Sequence, residues 1–270
     1  MNARLQYELR GWAYWAKCLN PLRNRITIDH LPLGLRLRAY KRDAVGRGLY
    51  RRKIHEPVLT KLLLDRFPGP GPWNFIDVGA NIGYFTALMS KLAGPAGKVL
   101  AIEPEPRNLR LLRENMALNH LENVDVHACA LGASEGFATL GLYKPVNRGR
   151  HSILNAEARE KLEVPLRTLD VIVRESAASI RSWSLVKIDV EGYEAFVVAG
   201  ARETLPRIET LVMEFSPGLL RKAGRDPATT VSALQSHFSR FCRIEGAELR
   251  ETRLEDCLEG GKLTELVLER

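Results

Sequence analysis

A short apolar run, Asn74-Phe75-Ile76-Asp77-Val78, enters Gly79-Ala80-Asn81-Ile82-Gly83, and a helical pattern over Tyr84–Leu92 follows at once. A strand that passes through a glycine-bearing bend straight into a helix admits few architectures. Gly79 and Gly83 permit close backbone approach and positive φ. Asn81 tolerates the left-handed conformation better than most residues. The alternation continues down the chain. Lys98–Glu103 and Val124–Leu131 read as strands around a helix over Arg107–Leu118. Leu185–Val190 and Thr210–Phe215 read as buried strands separated by a helix over Tyr193–Leu205. This order predicts an α/β, Rossmann-like fold: a mostly parallel twisted sheet with helices on both faces.

Upstream, the breaker run Pro68-Gly69-Pro70-Gly71-Pro72 ends a helical pattern over residues 57–67. Residues 1–55 read as a basic appendage of one helix and short strands, and 56–270 as the main domain. Leu5, Leu9, Trp12, Ala16 and Leu19 are spaced to share one side of a helix that Pro21 ends. The commoner use of such a stripe is docking on the parent domain or on a second subunit. The alternative is contact with an anionic membrane surface, which favours neighbouring aromatic and basic residues. Ile26–Ile28 and Leu35–Tyr40 alternate with period two and read as strands around a turn at Pro32 and Gly34. Residues 136–168 break the βα rhythm. Phe137–Tyr143 and Glu163–Arg167 read as hairpin strands and Asn147–His151 as a loop, an insertion positioned to act as a lid. A helix near Thr230–Phe238 and at least two strands, one over Leu263–Leu268, complete the pattern.

Charge is unevenly distributed. Residues 1–53 carry thirteen Lys/Arg against three acids, a net +10, whereas the rest of the chain carries 27 bases against 29 acids. Such a segment attracts polyanions, or serves only as a solvated face. The four cysteines are scattered with no C-x-x-C pair, so neither a zinc site nor a disulfide framework is indicated. No apolar run is long enough to span a membrane, and the first 25 residues lack the apolar core and cleavage site of a secretory signal. The expected location is the cytoplasm, with the inner membrane face as a peripheral option.

In open α/β sheets, ligands bind beyond the carboxyl ends of the strands. Asp77 stands at such an end, and the following helix terminus suits an anion. S-adenosylmethionine matches this arrangement: its carboxylate meets the helix terminus and its ammonium meets Asp77, directly or through water. Glu103, 24 residues after Gly79, ends the next strand and can accept from both ribose hydroxyls. A nicotinamide dinucleotide asks for G-x-G-x-x-G, because its pyrophosphate presses on the backbone. The spacing here is G-x-x-x-G, with Asn81 near the place of closest approach. The plain structural alternative is a tight turn followed by a surface glutamate.

These residues resemble the FkbM-type methyltransferases. The resemblance lies in Phe75–Gly83, Glu103-Pro104, Thr168-Leu169-Asp170, Val186-Lys187-Ile188-Asp189-Val190-Glu191-Gly192-Tyr193-Glu194, Ala199-Gly200-Ala201 and Glu214, and covers about residues 56–217. It implies methyl transfer from S-adenosylmethionine, commonly to a hydroxyl of a sugar, glycolipid or secondary metabolite.

Methyl transfer from a sulfonium needs an aligned nucleophile, and a hydroxyl nucleophile needs help in losing its proton. If residues 185–191 stay extended, Lys187, Asp189 and Glu191 point to one face. Asp189 is the first candidate for general base. Alternatively Asp189, Glu191 and Glu214 hold a divalent cation through oxygen ligands, or Glu191 and Glu194 cap the following helix. Lys187 orients a substrate oxygen or pairs with an acid. His151, in the insertion, ranks as a second candidate base. Two further readings stay open. One is an RNA ribose 2′-O-methyltransferase, motivated by the basic segment although no RNP signature or GXXG clamp is present. The other is a peripheral membrane or scaffold protein with an inactive methyltransferase fold.

Overall fold

The computed structural model describes residues 3–19, 24–143, 151–155, 157–258 and 263–270. In chain order the elements begin with α1 (Ala3–Cys18), β1 (Arg25–Ile28), β2 (Leu37–Tyr40), α2 (Ala44–Arg52) and α3 (Pro57–Arg66). Next come β3 (Asn74–Val78), α4 (Tyr84–Ala93), β4 (Lys98–Ile102), α5 (Pro106–Leu118) and β5 (Val124–His127). Three strands, β6 (Ala130–Leu131), β7 (Gly136–Leu142) and β8 (Glu160–Arg167), form a separate small sheet. Then follow α6 (Leu169–Ser176), β9 (Leu185–Ile188), α7 (Glu194–Ala199) and β10 (Thr210–Phe215). The remainder is α8 (Pro217–Lys222), α9 (Pro227–Gln235), β11 (Arg240–Glu245), β12 (Glu248–Glu251) and β13 (Thr264–Glu269).

The main sheet has eight strands in the order β12-β11-β13-β10-β9-β3-β4-β5. The five from β10 to β5 run parallel, and β13, β11 and β12 extend the sheet antiparallel. The chain reverses its strand order between β3 and β9, which opens a crevice at their carboxyl ends. Strand alternation sorts the apolar side chains into two cores. Phe75, Val99, Ala101, Leu185, Val212 and Val267 face the core built with α1 to α5. Ile76, Val78, Leu100, Ile102, Val186, Ile188 and Met213 face the core of α6, α7 and α9. The expected sheet with a helical layer on each face is therefore present. Among the described residues, no helix is long and apolar enough to cross a membrane.

The N-terminal strand pair is tied to the body by two asparagines. The Asn115 carboxamide accepts from Arg38 N (2.7 Å) and donates to Arg38 O (3.1 Å) and Ile82 O (2.7 Å). Asn119 accepts from Arg36 N (3.0 Å) and donates to Arg36 O (2.7 Å). The two side chains on α5 thus satisfy the outer edge of β2 and its approach as a neighbouring strand would.

Several sequence expectations need correction. The run Val124–Leu131 divides into β5 and β6, which belong to different sheets. The helix expected over Tyr193–Leu205 stops at Ala199, where Gly200 N turns back to Phe196 and Val197 carbonyls. The second N-terminal strand starts at Leu37 rather than Leu35. Helices α2, α6 and α8 were not anticipated. The insertion does contain an antiparallel pair, with Phe137 opposite Pro165 and Leu142 opposite Glu160. The loop proposed over Asn147–His151 lies outside the described residues up to 150.

The stripe on α1 is the clearest reversal. Trp12 is 77% and Leu19 82% exposed, and Leu5, Leu9 and Trp15 are about half exposed. The side of α1 that packs on the protein is Gly11 and Tyr14. The Tyr14 hydroxyl accepts from Arg42 N (3.1 Å), and the Arg51 guanidinium lies 3.8 Å from the Tyr7 ring centroid. One buried tyrosine with a satisfied hydroxyl and a close glycine contact orients the helix, and the larger leucine and tryptophan surface is left outward.

Asn115→Ala strands the backbone groups of Arg38 and Ile82. We expect a loss of about 2–3 kcal/mol in urea unfolding, as for buried polar groups left unpaired. A loss below about 0.5 kcal/mol, the scale of an ordinary surface substitution, would contradict this role.

Candidate active site

Three turns meet at the carboxyl edge of the sheet. The first follows β3. Gly79 N and Ala80 N both donate to Ile102 O (3.0 Å each), and Asp189 N donates to Val78 O (3.0 Å). Gly79 has φ +82°, and a Cβ built there would lie 1.9 Å from the Asp189 carbonyl oxygen. Only glycine lets the two strand exits cross this closely. Gly83, at φ +86°, begins α4 where a Cβ would meet Leu112 of α5 at 2.5 Å. Asn81 is left-handed at φ 52°.

The second turn follows β4. Glu103 is buried, and its two carboxyl oxygens accept from Asn81 N (2.8 Å) and Glu105 N (2.9 Å). Burial raises its pKa to about 7 against the hydrogen bonds that lower it. The glycine bend and the acid one strand over are therefore physically joined.

The third turn follows β9. The strand ends at Ile188, and Glu191 adopts φ 53°. Lys187, Asp189 and Glu191 consequently do not share a face, contrary to the extended reading, because the backbone turns at Val190–Gly192. The buried Glu194 carboxylate accepts from Val190 N (3.1 Å) and Gly192 N (3.0 Å) and so braces this turn. Glu194 therefore braces the turn before α7 rather than capping the helix, which has no side-chain cap. Ser152 Oγ, from the insertion, donates to Glu191 O (2.8 Å) and ties that segment to the same turn.

Two adjoining cavities result, sharing Gly79, Asn81 and Asp189. The larger, about 620 Å³ and open at its mouth, runs from Gly79 past Glu103 and Asn108 to Cys129 and Leu131. His151, Ile153, Glu191 and Tyr193 close its other side. His151 Nδ1 accepts from Tyr143 N (2.8 Å). The smaller, about 330 Å³, is lined by His55, Glu56, Asp77, Tyr84, Phe85 and Lys187. Asp77 Oδ2 accepts from Thr86 Oγ1 (2.5 Å), whereas Oδ1 is buried with no hydrogen-bond partner. Burial raises the Asp77 pKa, opposed by the Lys187 charge.

The FkbM methyltransferase domain matches residues 77–237. The chain belongs to the FkbM methyltransferase family. Methyltransferase 1 of Beauveria bassiana is 27% identical over 165 residues, covering 54% of this chain and 66% of that protein. Methyltransferase sdnD of Sordaria araneosa is 29% identical over 179 residues, covering 56% of this chain and 68% of that protein. The chain thus spans about two thirds of the length of these relatives. A SAM-dependent O-methyltransferase from Thermotoga maritima aligns at 13% identity over 80% of this chain and 66% of that one, with a TM-score of 0.42. The residues around the two adjoining cavities fit S-adenosylmethionine in kind, Asp77 in the smaller and Glu103 in the larger. An orphaned carboxylate oxygen on Asp77 suits its ammonium, and Glu103 stands one strand away to take its ribose hydroxyls.

Beyond the crevice lies a group of acids around one cation. Asp77 and Lys187 are direct partners across β3 and β9, and Glu214 and Glu265 are direct partners across β10 and β13. Lys187 is 4% exposed, and its Nζ lies 2.8 Å from Asp189 Oδ2 and 5.1 Å from the Phe85 ring centroid. Burial alone would drive its proton off, but the charges of Asp189, Glu56 and Asp77 prevail and hold it protonated. Glu214 is pushed up to about 9 by burial and by the charges of Asp189, Glu191 and Glu194. Glu265 is pushed up to about 7 by burial and by Glu56.

The metal reading of Asp189, Glu191 and Glu214 finds no support in this arrangement. Among the described residues, no three His, Cys, Asp or Glu side chains are grouped to hold a metal ion. Lys187 pairs with one oxygen of the Asp189 carboxylate. Sequence reasoning missed Glu56, His55 and Glu265, which line the site from elements far apart in the chain. Glu56 sits at φ 38° just before Pro57, with Oε1 3.2 Å from His55 Nε2. Burial raises its pKa, but the His55 hydrogen bond and the Lys187 charge outweigh burial and hold it below the usual value. Only its position ahead of a proline-started helix was readable.

Glu214 binds a proton up to about pH 9 when folded and only to about 4.5 when unfolded. The folded protein is favoured fully below the lower value, and that contribution is lost as pH rises through the upper one. Glu214→Gln is expected to flatten the fall in stability across this range, measured by urea unfolding at a series of pH values. An unaltered slope would rule out protonated Glu214 in the apo protein.

Proposed function

We propose that this FkbM-family methyltransferase moves the methyl group of S-adenosylmethionine to a hydroxyl of a sugar, glycolipid or secondary metabolite, with Asp189 as the proton acceptor. The observation that carries the reading is Asp189 itself. It lines both cavities at the crossing of the two strand exits, and its carboxylate is anchored by Lys187.

In this reading Glu103 holds the ribose, Asp77 holds the ammonium, and the peptide N–H groups entering α4 meet the carboxylate. Gly79 and Gly83 keep that bend free of side chains, and Asn81 presents its backbone N–H to Glu103. When bound, the cofactor would supply an already activated methyl, so the protein's own residues need mainly to align the acceptor oxygen and take its proton. Asp189 takes the hydroxyl proton, and Lys187 fixes the carboxylate in place through its ammonium. His151 and Glu191, on the insertion side of the larger cavity, are positioned to contact the acceptor.

Asp189→Asn should lower turnover by about 10²–10⁴-fold, the usual contribution of a general base, while leaving S-adenosylhomocysteine affinity nearly unchanged in calorimetry. Glu103→Ala should instead weaken the nucleoside itself. Full activity in Asp189→Asn would refute the base assignment, and absence of any heat with either nucleoside would refute the cofactor.

A further inference from the structure

We propose that the outward face of α1 seats the protein on an anionic membrane surface. The face consists of Leu5, Leu9, Trp12, Trp15 and Leu19, all exposed, on a helix whose opposite side is fastened by Tyr14. Tyr14 is buried on the body side, yet the leucines and both tryptophans of the helix are left outward. Trp12 and Trp15 are the side chains best suited to the boundary between lipid tails and headgroups.

Charge complementarity selects the occupant. α2, packed along α1, contains three arginines and no acid. Arg47 and Arg52 of α2, Arg42 just before it and Arg4 and Lys17 of α1 are exposed. Glu8 is the one acid in α1, and Arg51 of α2 lies 3.8 Å from it. Residues 1–53 carry +10 in all. Pairing this face with a second copy would bring two such segments together and repel. Anionic lipid headgroups neutralise the bases while the tails receive the tryptophans and leucines. The apolar and basic residues therefore have one surface that satisfies both.

The test is flotation of the full chain with phosphatidylcholine vesicles, with and without phosphatidylglycerol, together with Trp fluorescence. Binding should need the anionic lipid, weaken with salt and shift the emission to the blue. The double variant Leu9→Ser/Trp12→Ser alters only exposed positions. It should fold with wild-type melting behaviour yet partition about tenfold more weakly, a change of about 1.4 kcal/mol. Arg47→Ala/Arg52→Ala should weaken binding to the anionic vesicles. The proposal is overturned by an absence of binding to anionic vesicles, or by binding that the double variant leaves intact. It is equally overturned if light scattering shows a dimer that the double variant dissolves, or if single-stranded RNA is bound and vesicles are not.

Discussion

The carboxyl edge of this sheet depends on one buried cation. Lys187 sits among Asp77, Asp189 and Glu56, and among the described residues no other lysine is buried. An ionised carboxylate removed from water without a partner is prohibitively costly. One ammonium can balance some of these acids, and the others must keep their protons. Glu56 is held down by the His55 hydrogen bond together with the lysine's charge, whereas Glu214 and Glu265 are pushed upward by burial and by neighbouring acids that the lysine only partly offsets. The site is thereby supplied with both ionised and neutral carboxyls within a few residues.

Backbone crossings set where those groups stand. The Asp189 carbonyl passes so near Gly79 that a side chain there is impossible, and Asp189 N bonds the end of β3. Asn81, one turn further, offers its N–H to Glu103. The glycine bend, Glu103 and the candidate base Asp189 are consequently one hydrogen-bonded unit. A shift in any of them moves the others, and this is the preorganisation that in-line transfer requires.

The insertion and the N-terminal segment approach the unit from opposite sides. Ser152 fastens the turn at Glu191, and His151 enters the larger cavity from the same stretch. From the other side, Val45, His55 and Glu56 close the smaller cavity. The part of the chain that lies outside the family match thus contributes side chains to the site's wall. Its anchoring through Asn115 and Asn119 explains how a basic, largely exposed segment holds position.

The strand–bend–helix order, the parallel sheet and the joint placement of Asp77, Gly79, Gly83 and Glu103 were all legible in the sequence. Each rests on spacing within one βαβ unit, where local geometry decides what meets what. The partners of Lys187 were not legible beyond Asp189. Glu56, Asp77 and Glu265 reach it from a helix boundary and two other strands, and only the sheet order places those together. Periodicity found the stripe on α1 but not its direction. The pattern states that one side is apolar; which side is buried depends on whether Tyr14 and Gly11 or the leucines fit the surface offered. The extended reading of Lys187, Asp189 and Glu191 failed for a related reason. Alternation holds only while the backbone stays in the β region, and the left-handed residue at 191 ends it. The sequence by itself determined the fold and the donor-side residues, because these are set by contacts close along the chain. The tertiary structure alone decided the charge balance and the outward helix, because both are set by groups that meet only after distant segments have packed.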